Sequence, residues 1–223
     1  MPKPVETVLE LVRLGGTAEF WASVGDTFLA WMLAFLISTV VGIPVGLILG
    51  RSPRAAVSTH FLIDFLRTIP AIALIPLALL VLGPSFAMVV VVAAMAGIWP
   101  VLIQSIYAGR QLDPLLFQVS RSFRLTRLDR LRFVLAPDIM AFVWPGIRLA
   151  VTAALLVTVA AQLIGGAPGV GTSIQNALLS ERPVTMFAYV IASALLGLLI
   201  NAALVWLQEK LLWWHPSVRG KNR

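Results

Sequence analysis

The chain has 223 residues, 59% of them hydrophobic and 12% charged, with no cysteine and a formal charge of +7; soluble domains average roughly half and a quarter. Too few polar residues remain to cover a surface facing water, so a soluble globular enzyme is excluded and lipid must solvate the apolar excess. The missing cysteines remove disulfides and thiolate chemistry, and two histidines far apart in sequence, His60 and His215, do not make a metal centre.

Residues 1–26 lack a continuous apolar core and carry Glu6, Glu10, Glu19 and Asp26, unlike a signal peptide. Val5, Val8, Leu9 and Val12 recur at helical spacing between Glu6, Glu10 and Arg13, which predicts a short amphipathic helix on the outer membrane surface. Span one, 27–50, holds no charge and stops at Arg51, Ser52, Pro53 and Arg54. From Thr68 to Gly109 there are 42 residues without a charge, too many for one crossing, and the turn Gly83, Pro84, Ser85 divides them into spans at 62–82 and 86–109. Pro70 and Pro76 allow a kinked or broken second span that lines a cavity, or serve helix packing alone.

Residues 110–139 form the one long polar loop. Asp113 before Pro114 reads as an N-cap with proline at the first helical position, followed by an apolar stripe of Leu115, Leu116, Val119 and Phe123. Thr126 with Asp129 three residues later reads as a capping box opening a second helix with Leu128, Leu131 and Leu135, which ends at Pro137 and Asp138. The loop is therefore expected to be a helical hairpin, whose arginines suit anionic lipid or a soluble partner equally. Spans four and five follow at 140–164 and 184–208, the last closed by Glu209, Lys210 and the interfacial pair Trp213 and Trp214. Five spans place the termini on opposite sides. With the N-terminus outside, fourteen of the seventeen cations lie inside, leaving Lys3, Arg13 and Arg182 outside, as the positive-inside rule requires.

Polar residues inside the spans are few. Ser38, Thr39, Thr152, Thr158 and Ser193 suit bonds across helix contacts, whereas Gln104, Gln162 and Asn201 cost more in lipid and belong to the bundle interior or a pathway. Asp64 and Asp138 sit near inner boundaries as caps or arginine partners, with Arg67 placed to pair Asp64. No carboxylate pair lies at membrane depth, so proton coupling and intramembrane acid chemistry lack their apparatus. Gly166 to Ser173 nearly spells a phosphate loop, but Thr172 stands at the lysine position and no strand precedes it.

Three stretches carry a family resemblance. Leu66-Arg67-Thr68-Ile69-Pro70-Ala71-Ile72-Ala73-Leu74-Ile75-Pro76-Leu77 resembles the L-R-P-I-P-P-x-A-x-I-P-L run of the nitrate, sulfonate and taurine permeases of ATP-binding-cassette importers. Tyr107-Ala108-Gly109 with Asp113-Pro114 resembles their T-Y-A-G-x-x-x-x-D-P, and Gly146-Ile147-Arg148-Leu149-Ala150 their G-L-R-L-A. The segment Gln118 to Pro137 is similar to the family's cytoplasmic loop, with departures: counted back from Pro137, the signature Glu falls on Gln118, the two Ala on Val119 and Ser120, and the Gly on Arg124, while Arg121, Arg127 and Pro137 match.

The resemblance implies an all-α type I importer permease with coupling helices at 110–139, whose contact residues are Leu115, Leu116, Gln118, Val119, Ser120, Arg121, Phe123, Arg124, Arg127 and Pro137. It implies a second permease copy, identical or related, two cytoplasmic ATPase subunits that carry the ATP and magnesium, and an extracytoplasmic solute-binding protein. The bacterial inner membrane is the implied location, and no catalytic residue, bound cofactor or nucleic acid is expected of this chain. Gly166 to Ser173 becomes an outer turn re-entering between helices, and Pro70, Pro76, Gln104, Gln162 and Asn201 become the translocation-path candidates. Members usually have one more helix before the part matching Met1, so the chain is expected to be the five-span remainder. The alternative is a membrane scaffold that recruits a soluble protein through the basic hairpin without transporting anything.

Overall fold

The computed structural model describes residues 3–112 and 114–212. The expected N-cap Asp113 and the residues 213–223, with Trp213 and Trp214, lie outside the described residues, as do the side chains of Leu116 and Arg121. Among the described residues every regular element is helical: α1 (Pro4–Gly15), α2 (Ala18–Arg51), α3 (Pro53–Arg67), a 3-10 turn (Ala71–Leu74), α4 (Ile75–Leu82), α5 (Phe86–Gln111), α6 (Pro114–Ser122), α7 (Arg127–Arg130), a π turn (Leu131–Leu135), α8 (Ala136–Gly165), α9 (Val170–Leu179) and α10 (Pro183–Leu211). Among the described residues four helices are long and apolar enough to cross a bilayer: α2, α5, the run Arg127–Gly165 and α10. A bent pair, α3 with residues 71–82, supplies a fifth if counted as one crossing.

Small polar residues set the helix starts. Thr17 Oγ1 accepts from Phe20 N at 3.3 Å and opens α2, Ser52 Oγ accepts from Ala55 N at 3.3 Å, and Ser85 Oγ from Met88 N at 3.2 Å. Helix α2 begins nine residues before the Thr27 expected from charge, because Glu19 and Asp26 sit in a helix that runs past the hydrocarbon: 34 residues span about 51 Å, against about 30 Å of apolar core. The expected break falls at Pro70. The preceding residues cannot stay helical against its ring, Pro70 itself is extended, and the axis turns by 74°. Pro76 lies in the first turn of α4, where its missing N–H removes no bond.

Helix α5 is the central element, packed between α2 and α8, with α10 and the bent span on the flanks. The α2–α5 contact is a parallel seam of small residues one turn apart. A Cβ built on Gly42 would lie 2.9 Å from Val101 Cγ1, one on Gly46 2.6 Å from Leu102 O, and one on Gly50 3.0 Å from Gly109 Cα. Only glycine lets the backbones approach this closely. Helix α8 runs antiparallel to α5, with Gly146 against Pro100 O and Gly97 against Ala150 O. Ala30, Ala34, Met88, Val89, Val92, Ala93, Val157 and Ala161 fill the space between the three helices.

The polar loop differs from a simple hairpin. Its second helix does not stop at Pro137; α7, the π turn and α8 form one continuous 39-residue helix. Pro137 has no N–H, so a bond to Phe133 O is lost in any case, and the chain absorbs this with a wider turn in which Ala136 N–H bonds Leu131 O, five residues back. At the far end of the bundle α1 packs Leu11 and Leu14 against Phe20, Val170 and Tyr189, leaving Val5, Val8, Leu9 and Val12 exposed.

Candidate coupling surface and translocation path

The hairpin is built by two terminating motifs. Helix α6 ends with Arg124 at φ 54°, and Leu125 N–H bonds Ser120 O at 3.1 Å, five residues back, which closes the last turn around a left-handed residue. This is the position where the family signature carries glycine, and the backbone there has kept the conformation that favours it. Thr126 then caps α7, accepting from Asp129 N at 3.2 Å while donating to Asp129 Oδ2 at 2.6 Å. The acidic partner stands where a capping box carries Glu, so the shorter side chain reaches the cap hydroxyl.

Apolar residues face outward on this hairpin. Leu115 and Val119 on α6 and Phe123 just past its end recur every four residues and all three are exposed, Phe123 at 75%. Leu128 and Leu131 extend the apolar surface onto the next helix, again exposed. Gln118, Arg124 and Arg127 are exposed beside them, whereas Ser120 is buried and Pro137 half-buried at the base. An apolar centre with a basic rim is the arrangement of a protein-docking patch.

The path candidates do not converge. Gln162 is fully buried, Gln104 is half-buried beside Gly146, and Pro70, Pro76 and Asn201 are exposed on the flanks. The hydroxyls of Thr39, Thr152, Thr158 and Ser193 return to carbonyls of their own helices, and Ser38 Oγ lies 2.8 Å from Ala34 O and 3.0 Å from Ala94 O. These are packing contacts.

Gln162 instead anchors the loop after α8. The chain leaves α8 through Gly166 at φ 69° and enters α9 after Gly169 at φ 143°. Helix α9 has no cap from its own sequence; Val170 N–H donates to Thr27 Oγ1 at 2.9 Å and Gly171 N–H to Gln162 Oε1 at 3.3 Å. Thr27 Oγ1 also lies 2.9 Å from Gln162 Oε1, and Thr172 Oγ1 donates to Gln162 O or Ala167 O. Residues from α2 and α8 thus satisfy the first N–H groups of α9, and the Gly-rich segment packs as a turn against them instead of opening as a phosphate cradle. Thr27 was visible in the sequence only as the first uncharged residue of a span. A threonine facing a glycine-rich loop across 143 residues leaves no local signal.

The whole architecture matches that of solved importer permeases. A chain of the MetNI methionine ABC transporter, in inward facing conformations, superposes with a TM-score of 0.70 at 18% identity, covering 95% of this chain and 99% of the other. The class defined is an all-helical permease of type I importer fold. Residues 42–212 match the binding-protein-dependent transport system inner membrane component family, and the chain belongs to it. It is 29% identical over 220 residues, 99% of this chain and 80% of the other, to SsuC of Bacillus subtilis (strain 168), a permease named for aliphatic sulfonates transport. It is 27% identical to the nitrate import permease NrtB of Leptolyngbya laminosa, over 90% of this chain and 75% of the other, and 24% identical to the taurine transport system permease TauC of Escherichia coli (strain K12), over 98% and 82%. The chain is therefore an ATP-binding-cassette importer permease of the bacterial plasma membrane.

Proposed function

We propose that this chain forms one half of the transmembrane part of an importer for a small anion, paired with a second copy or a related permease. Sulfonate, taurine, nitrate and bicarbonate are the solutes in the names of its relatives, and this class of solute is the one assigned here. ATP and magnesium belong to two ATPase subunits below, and a solute-binding protein delivers the anion from above. The N-terminus and α9 face outward and the hairpin inward, which the cation distribution supports.

The exposed stripe Leu115, Val119 and Phe123, rimmed by Arg124 and Arg127, carries this reading. The stripe supplies docking energy in a groove of the ATPase and the arginines orient it. Because α7 is continuous with α8, displacement of the hairpin tilts α8 directly and alternates access to the path.

The test is a pull-down of the tagged chain from gently solubilised membranes, with bound proteins identified by mass, comparing wild type with a Leu115→Asp, Phe123→Asp double variant. An ATPase subunit retained by wild type and lost from the correctly inserted variant is the expected result. A folded, inserted wild type that retains no ATPase overturns the coupling role and leaves a membrane scaffold, the reading favoured by the departures at Gln118 and Arg124.

A further inference from the structure

Helix α3 is oriented opposite to a helix in a soluble protein. Val57, Phe61, Leu62 and Phe65 point away from the bundle, with Val57 and Phe61 about four-fifths exposed, while His60, Asp64 and Arg67 face α5. Their spacing, four and then three residues, puts these three groups on one wall, and Tyr107 and Arg110, three residues apart on α5, stand opposite. Between the walls lies a groove of about 280 Å³, floored by Ile63, Ile103 and Ile106. An apolar side turned away from the bundle suits lipid, which would put this crevice, charged on its walls and apolar on its floor, near the edge of the bilayer.

The groups in it are arranged for an anion. Asp64 is taken up by two partners, accepting from His60 Nδ1 at 2.9 Å and from Arg67 Nε at 3.1 Å. Its charge is thereby spent on fixing the wall, and Arg67 retains N–H donors on its terminal nitrogens. Arg110 has no ion pair or hydrogen bond among the described residues, and it lines the same groove. Two guanidinium groups against one neutralised carboxylate leave an excess positive charge beside an apolar floor. Guanidinium forks bind the paired oxygens of phosphate, sulfonate and carboxylate groups.

We propose that the α3–α5 groove is an oxyanion-binding site, with Arg67 and Arg110 as its ligands and His60 and Asp64 as positioning residues. The apolar floor and the lipid-facing outer side of α3 favour the phosphate of an anionic phospholipid as the occupant, its acyl chains lying along Phe61 and Phe65. A soluble transported anion shares the same chemistry; that source alone rests on the transport reading above.

The experiment measures thermal unfolding of the full chain in a non-ionic detergent, titrated separately with dioctanoyl phosphatidylglycerol, dioctanoyl phosphatidylcholine and sodium methanesulfonate. Stabilisation by phosphatidylglycerol alone, with the half-saturating concentration raised about tenfold in an Arg67→Gln, Arg110→Gln variant, is expected and names the lipid. Stabilisation by methanesulfonate with the same dependence on both arginines keeps the site and assigns it to a soluble anion. No response from either anion, or a response unchanged in the variant or equal for phosphatidylcholine, overturns the site. A cooperative unfolding transition of the double variant without ligand shows that its fold is kept, and an Arg67→Lys variant, which keeps the charge and loses the fork, should unfold like wild type without ligand and need more phosphatidylglycerol for the same shift. The ATPase pull-down is read independently, so failure of one reading leaves the other standing.

Discussion

The glycine seam between α2 and α5 makes a prediction whose sign depends on geometry alone. Replacing glycine by alanine inside a helix stabilises it by about 1 kcal/mol through backbone entropy. Gly25, in the same helix as the seam, has nothing within 4 Å of a built Cβ, so Gly25→Ala should gain this or stay neutral. At Gly46 the new methyl would meet Leu102 O at 2.6 Å and Ser105 Cβ closer still, and neither atom rotates away. The helices must separate, with overpacking costs of about 1–3 kcal/mol, and the seam continues one turn on at Gly50, so the shift is not local. Set against the gain of about 1 kcal/mol, the net loss at Gly46 is up to about 2 kcal/mol, and at about 2–4 °C per kcal/mol for a chain of this size the midpoint falls by up to about 8 °C. Gly42→Ala meets Val101 Cγ1, a side-chain atom. Adding Val101→Ala should therefore recover roughly 1 kcal/mol, a coupling that a double-mutant cycle isolates. Thermal unfolding of the detergent-solubilised chain measures all five variants, the Val101→Ala single included. A Gly46→Ala protein as stable as Gly25→Ala would show that the helices are not held at this distance, and the seam would lose its role in setting the fold.

The other outcomes concern the two ends of the bundle. Arg124→Gly removes a Cβ from a left-handed residue and should stabilise the chain by about 1 kcal/mol, while Arg124→Val should destabilise it; the pair of midpoints decides. Thr126→Ala loses the cap of α7 and costs about 1 kcal/mol, seen as faster hydrogen exchange at Arg127 to Arg130. Gln162→Leu leaves the buried Gly171 N–H without its acceptor, while the Thr27 hydroxyl keeps Ser23 O, a cost of about 1 kcal/mol. Exchange at residues 170–173 should quicken in that variant, with the α6 hairpin unaffected.

Much of this arrangement is legible in the sequence because lipid imposes a simple rule. Charge-free runs of fixed length become spans, and the turn Gly83 to Ser85 and the break at Pro70 lie where proline and glycine place them. The capping box at Thr126 needs four consecutive residues and is equally local. Other features are encoded between segments. The seam at Gly42, Gly46 and Gly50 depends on which face of α5 it meets, and the fate of Gln162 on a loop whose own residues provide no cap for α9. The groove at Arg67 went unread for the same reason. Asp64 and Arg67 declare their pairing at helical spacing, but Arg110 comes to face them only through the fold. At Pro137 the local rule gave the wrong stop, since the π turn spares the helix a break that a proline ordinarily makes.

That continuity joins the two candidate ends. Gln162 lies 35 residues beyond Arg127 along one helix, about 52 Å at 1.5 Å per residue. One end of this helix carries the exposed hairpin, and the other holds Gly171 and shares Thr27 with α2. Along its middle Gly146 sits against Pro100 O and the Gln104 side chain of α5 with no room for a Cβ, while Gly97 of α5 makes an ordinary contact with Ala150 O. A displacement at the hairpin therefore does not dissipate in a loop. On the proposed coupling it reaches α9 as a tilt of α8 together with α5 and, through the glycine seam, α2. The π turn at Leu131 to Leu135 is the one place where the hydrogen-bond ladder of this lever is widened, and it lies between the hairpin and the packed core. On the proposed coupling the three packed helices move as a body and the bent span and α10 on the flanks accommodate them, the division of labour that alternating access requires.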